Sequence, residues 1–114
     1  MKLNIDQEQK EITEGCFGSK SILYILNIRL DVSPSEMESI KKQKLDEKFI
    51  AQFPAEGIER KVWIGDILNK NTSYIFHSIS LLQQIEEQVI ERCKSLKQTI
   101  EADANFGGSK SIDL

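Results

Sequence analysis

At 114 residues with a formal net charge of −3, the chain is long enough to bury a core without disulfides or metal, and its sign disfavours a phosphate backbone as partner. An apolar fraction of 39% and a charged fraction of 29% are those of a folded globule, which excludes wholesale disorder. The N-terminal MKLNIDQEQK lacks the apolar core of a secretory signal, and no run reaches the roughly 18 apolar residues of a membrane span. A single cytoplasmic α+β domain over 1–114, without membrane or nucleic-acid contact, is the expectation.

Leu3 and Ile5 alternate with Asn4 and Asp6 and open an edge-type strand, followed by a polar run to Ile12. The segment Glu14-Gly15-Cys16-Phe17-Gly18 reads as a turn. Beyond it, Ile22, Tyr24, Leu26, Ile28, Leu30 and Val32 form an apolar row at period two, the clearest strand signal in the chain. Leu23 and Ile25 make its first half apolar on both faces. Something besides the core is therefore expected to cover that half.

Ser33-Pro34-Ser35-Glu36 spells a helix start, with Ser33 as N-cap, proline at the first helical position and Glu36 closing a capping box. The helix should run to about Lys44, with Met37, Ile40 and Lys44 or Leu45 as its inner edge. Lys41, Lys42, Lys44 and Lys48, the densest basic group, read as its solvated face and not as a nucleic-acid patch. Phe49, Ala51 and Phe53 then alternate up to Pro54, and Ile58 to Ile64 follows at hairpin spacing across Pro54-Ala55-Glu56-Gly57. Gly65 to Asn71 reads as a helical turn closed by polar residues, and Thr72 to His77 as a further strand.

Leu82, Ile85, Val89, Cys93, Leu96 and Ile100 mark one apolar face of a long helix starting near Ser78, widened on its flanks by Leu81 and Ile90. The breadth of that face favours a lid on a sheet over a coiled-coil seam. Thr99 to Phe106 fits both periods, since Ile100, Ala102, Ala104 and Phe106 alternate while Leu96, Ile100 and Ala104 continue at i+4. Alanine and the Asn105-Phe106-Gly107-Gly108 ending favour helix. A helix to Ala104 measures about 40 Å, longer than the roughly 34 Å diameter of a compact chain of this size. Residues 107–114 read as a flexible tail. The fold expected is α+β in the order β-β-α-β-β-β-α, an antiparallel sheet of four to five strands covered by the long helix.

Chemistry-bearing patterns are sparse. His77 is the sole histidine, and although Ser78 and Ser80 stand beside it, neighbours across a strand-to-helix junction do not converge. Cys93 belongs to the apolar helix face and Cys16 to a turn, so neither has the basic surroundings of a reactive thiolate. No metal-ligand spacing or phosphate-loop motif occurs, and neither a catalytic role nor a cofactor is expected. The primary reading is a non-catalytic protein-binding module of inhibitor, immunity or adaptor type. Its partner is another protein, including a second copy of itself, met through Leu23, Ile25, Leu81, Ile90 and Phe106. The rival reading is a binder of a small polar ligand or nucleotide, with Trp63, Asp66, Asn69, Lys70, Asn71 and Tyr74 gathered around the Gly65–Thr72 loop.

Overall fold

β2 (Ser19–Asp31) pairs along its whole length with β1 (Lys2–Glu14), from Lys2 opposite Asp31 to Glu14 opposite Ser19 without a register shift. In this computed structural model, which describes residues 1–15, 18–55, 57–106 and 113, β5 (Thr72–Phe76) adds to the other side of β2. The resulting antiparallel sheet has the order β1-β2-β5. Period two then sorts its side chains. Leu26, Ile28 and Leu30 are fully buried on the inner face, and Leu3, Ile5 and Tyr24 pack against them.

β3 (Phe49–Ala55) and β4 (Ile58–Trp63) form a separate two-stranded sheet. The expected single sheet of four to five strands is thus corrected: its five strands are divided three and two. Two local causes separate them. Pro54 lacks an N–H and belongs on an edge strand, and a bulge between Phe49 and Ala51 turns both Ile50 and Ala51 inward against Val62. β3 consequently meets β5 through side chains. The Phe53 ring lies 4.6 Å from that of Phe76 and 6.2 Å, edge-on, from that of Tyr74.

α1 (Pro34–Lys42) starts as its sequence specifies. The Ser33 hydroxyl accepts from the Glu36 N–H, and the Glu36 carboxylate accepts from the Ser33 N–H at 2.9 Å. Hydrogen bonding to the Ser33 backbone, ahead of the Met1 ammonium 3.2 Å away, holds the Glu36 carboxyl below its usual range. A 3-10 turn at Leu45–Glu47 then packs against α2 (Ile64–Ile67), and a Cβ on Gly65 would stand 2.9 Å from the Asp46 carbonyl oxygen. Only glycine fits that approach.

α3 (Ile79–Phe106) lies across both inner faces. Ser78 caps it by accepting from the Leu81 N–H. Leu82, Ile85, Val89, Cys93, Leu96 and Ile100 are all buried, as the heptad-like spacing requires. Thr99 to Phe106 is helical, which settles the ambiguity of that segment in favour of the three-to-four spacing. α1 packs beside α3, and Ile100 is the last buried residue of the long helix among those described.

The helix and the β1–β2 hairpin are offset along their common axis. Gln7 reaches Glu86, and Met1, Leu3 and Ile5 share a groove with Ile90, Cys93 and Lys97, so α3 runs toward the Met1 end while the hairpin turn points away from it. The molecule measures 80 × 23 × 20 Å with a radius of gyration of 18.4 Å, against about 13 Å for a compact chain of this length. Lys10–Glu14 and Ser19–Leu23 form a projecting arm. Cys16, Phe17, Glu56 and the tail at 107–112 and 114, for which turn or link roles were expected, lie outside the described residues.

Phe53 joins the two sheets and is 2% exposed, so Phe53→Ala removes packing from both. The expected loss is about 3–5 kcal/mol of unfolding free energy, read from urea denaturation. A loss below about 1 kcal/mol would show that the sheets do not depend on that contact.

Candidate functional site

The outer face of the three-stranded sheet, turned away from α3, divides at Asn27. Toward the Met1 end it is a polar network. Asn4 donates to Asp31 at 2.7 Å, Arg29 to the same carboxylate at 2.6 Å, Asn27 to Asp6 at 3.3 Å and Ser73 to Asn27. The Arg29 hydrogen bond, first among the causes, holds the Asp31 carboxyl below its usual range. Toward the arm the same face turns apolar. Ile25 sits directly opposite Ile75, Leu23 is the next outward residue of β2, and Ile12 lies diagonal to Leu23 on β1.

This apolar half is open. Ile75 is 55% exposed, while Leu23, Ile25 and Ile12 are half-buried and lie outside the core cluster. Glu8 and Lys10, paired with Ile25 and Leu23, frame it with one charge of each sign. On the inner side of the arm, Ile22 is 41% exposed because α3 begins short of it. On the inner face the cover of α3 stops at Tyr24 and leaves Ile22 open, while Leu23 and Ile25, the apolar excess read in the sequence, belong to the outer face that α3 does not meet. Ile75 and Ile12 were missed, since membership of the patch depends on cross-strand register that periodicity does not supply.

Several grooves border α3, and two of them take in the flanking residues Leu81 and Ile90. Leu81 lines one of 320 Å³ between β3 and β5, together with Phe53, Arg60, Tyr74 and His77. Ile90 lines the other, of 530 Å³, between α3 and the inner face of β1, with Leu3, Ile5 and Cys93 at its base and Lys94 and Lys97 at its rim. Leu81 and Ile90 thus lie on opposite sides of the helix, apart from Leu23 and Ile25. The Phe106 side chain lies outside the described residues.

The residues expected around a polar ligand are distributed over several surfaces. Trp63 points outward on β4, where its ring meets Phe49 edge-on at 5.6 Å and the Lys61 ammonium stands 4.6 Å above Phe49 and 5.6 Å from Trp63. Tyr74 points inward on β5. Asn69 takes a left-handed conformation, with its N–H bonded to the Leu30 carbonyl and its side-chain oxygen accepting from the Val32 N–H. Its role there is to fasten the loop to the end of β2. The Asp66 carbonyl accepts from the Thr72 hydroxyl, and Lys70 and Asn71 are exposed. Of the six, only Tyr74 lines the groove between β3 and β5. The Lys61–Phe49 partnership went unread because it needs the β3–β4 register.

His77 is exposed at the mouth of that groove, with Ser78 beside it. Burial pushes the Cys93 thiol up to about 11, so it stays a neutral apolar group at ordinary pH. Among the described residues, no three of His, Cys, Asp or Glu come together as a metal site, and no helix is long and apolar enough to cross a membrane. Comparison with protein families, with curated proteins and with solved structures finds no match to this chain.

The Tyr74 hydroxyl is buried and has no hydrogen-bond partner among the described residues. Burial, followed by the Asp66 charge, pushes its pKa up to about 12. Both Cys93 and Tyr74 hold their protons more tightly folded than unfolded, so their contribution is complete below their respective unfolded values of 9.0 and 10.0 and is lost as pH rises toward about 11 and about 12. Stability should fall across that alkaline window and fall less in Tyr74→Phe. At neutral pH Tyr74→Phe should be neutral or stabilising, because it removes a desolvated hydroxyl. Destabilisation by more than about 1 kcal/mol in chemical denaturation would mean that the hydroxyl is bonded after all.

Proposed function

We propose that this chain is a non-catalytic protein-binding module that associates with proteins, among them a second copy of itself. The observation that carries the reading is the arm and the sheet face at its root: the two-stranded ribbon leaves the body with Ile22 exposed on its inner face and half-buried Leu23 and Ile12 on its outer face, which runs on into half-buried Ile25 and exposed Ile75 on the three-stranded sheet. A two-stranded ribbon alone is marginal in water, so one that bears apolar groups on both faces gains stability when a partner covers it. The outer patch has the pattern of a small interface, with an apolar centre and the charges of Glu8 and Lys10 at its border.

An inhibitor, immunity or adaptor role is consistent with such a surface but is chosen by no single residue. The ligand-binding reading keeps one supporting observation, the 320 Å³ groove with Tyr74, Arg60 and His77 on its walls. It requires a polar ligand lying between β3 and β5, away from Trp63.

Self-association is measured by light scattering coupled to size-exclusion chromatography. Elution volume alone misleads, because an 80 Å rod elutes early as a monomer. The expected mass is twice 13.0 kDa at tens of micromolar, falling on dilution. A mass of one chain at every concentration up to about a millimolar, where even a weak contact of about −4 kcal/mol is populated, would remove the self-associating form of the proposal.

A further inference from the structure

The edge of β1 is thirteen residues long, and the N–H and C=O groups of alternate residues, turned away from β2, pair with nothing among the described residues. Edge strands of this length are usually broken by a proline, a glycine bulge or a covering loop. Among the described residues β1 has none of these, and its edge is marked only by charged side chains such as Glu8, Lys10 and Glu11. Its sequence holds no proline or glycine and its register on β2 is unshifted from end to end. Glu8 and Lys10 stand exposed on its outer side, and neither makes an ion pair in the monomer among the described residues.

A second copy can add to this edge antiparallel, about a two-fold axis perpendicular to the sheet. Cross-strand partners share a face, so one residue must lie on the axis opposite itself. Charge then selects the register. A centre at Asp6, Glu8 or Lys10 sets a charge against its own copy, and a centre at Gln7 sets Asp6 against Glu8. With Gln9 on the axis, Glu8 faces the partner's Lys10 twice, and no like-charged pair occurs from Asn4 to Glu14. Of the five registers that pair nine or more rungs, this is the one free of repulsion.

We propose that two copies join through β1 with Gln9 on the two-fold axis, giving a continuous sheet in the order β5-β2-β1-β1-β2-β5. Each arm then lies along the Asn4–Glu8 stretch of the other body. The partner's Thr13 falls opposite Ile5, at the open side of the groove between β1 and α3. The β1 half of the overhang, unsupported on its outer edge in one chain, becomes part of the central pair of strands in two. This rests on the self-association proposed above and places the contact between copies on the β1 edge, leaving the apolar face of Leu23, Ile25 and Ile75 for other proteins.

Two measurements test it. In a Cys16→Ser background, with Cys93 left buried, Gln9→Cys places two thiols at directly opposed positions, within disulfide reach. Mild oxidation should give a covalent dimer. Glu11→Cys, whose copies would lie four rungs or about 13 Å apart, should not. Separately, Lys10→Glu and Glu8→Lys should each weaken dimerisation by roughly tenfold or more, and the double variant should regain it. A dimer by light scattering that tolerates both single swaps, or that links through Glu11→Cys and not Gln9→Cys, overturns this interface and leaves self-association standing. A protein that is monomeric throughout overturns both.

Discussion

Everything in this fold depends on one apolar stripe, the buried face of α3 from Leu82 to Ile100. A helix that long offers more apolar length than one small sheet can cover. Three elements divide it: the inner face of β2, the β3–β4 hairpin, and α1 beside the C-terminal half. The two sheets, kept apart by Pro54 and the β3 bulge, both serve this stripe. Each sheet turns its apolar side to the helix, and Phe53 closes the seam between them against Tyr74 and Phe76. Burying a side chain of this kind contributes about 1.5–3 kcal/mol, whereas the surface ion pairs seen here contribute little.

The same constraint shapes the surface. Because α3 is offset along the hairpin, its cover reaches Tyr24 and stops, while the β1–β2 ladder continues to the turn. Alternation in β2 assigns Ile22 to the inner face as surely as Leu26, yet Ile22 finds no helix above it. Exposure of the arm is therefore a consequence of relative placement and not of any residue type in it. A polar network from Asn4 to Ser73 stabilises the outer face where the body is broad, and it ends at Asn27, before the apolar stretch that leads into the arm.

Much of this was legible in the sequence. Period two in β2, the capping box at Ser33 and the three-to-four spacing of α3 are local signals, and each element formed with its expected inner face. The extension of β1 to Glu14 was not, since Gln7 to Glu14 is polar on both sides and becomes a strand only by pairing with β2. Sheet membership failed for the same reason: strand existence is written in neighbouring residues, whereas strand partners are set by packing across the chain. The site residues divide likewise. Leu23 and Ile25 were visible as an excess of apolar character on one strand, while Ile75, Ile12 and the Lys61–Phe49–Trp63 group required the register. The loop from Asp66 to Asn71 drew attention for its polar composition, and Asn69 shows what such composition also serves, the fastening of one chain segment to another.

The pairing of β5 with β2 has a further consequence. Both hairpins and both longer helices are made from contacts between near neighbours in sequence, but Ile28 meets Thr72 across the whole α1–β4 region. Closing a loop of that length costs a few kcal/mol of chain entropy, and the cost grows only slowly with length. Once Phe76 and Tyr74 are docked, the two hairpins are no longer independent units. The short strand with five residues thus supplies the cooperativity that its length would not suggest, by joining two locally stable pieces into one transition.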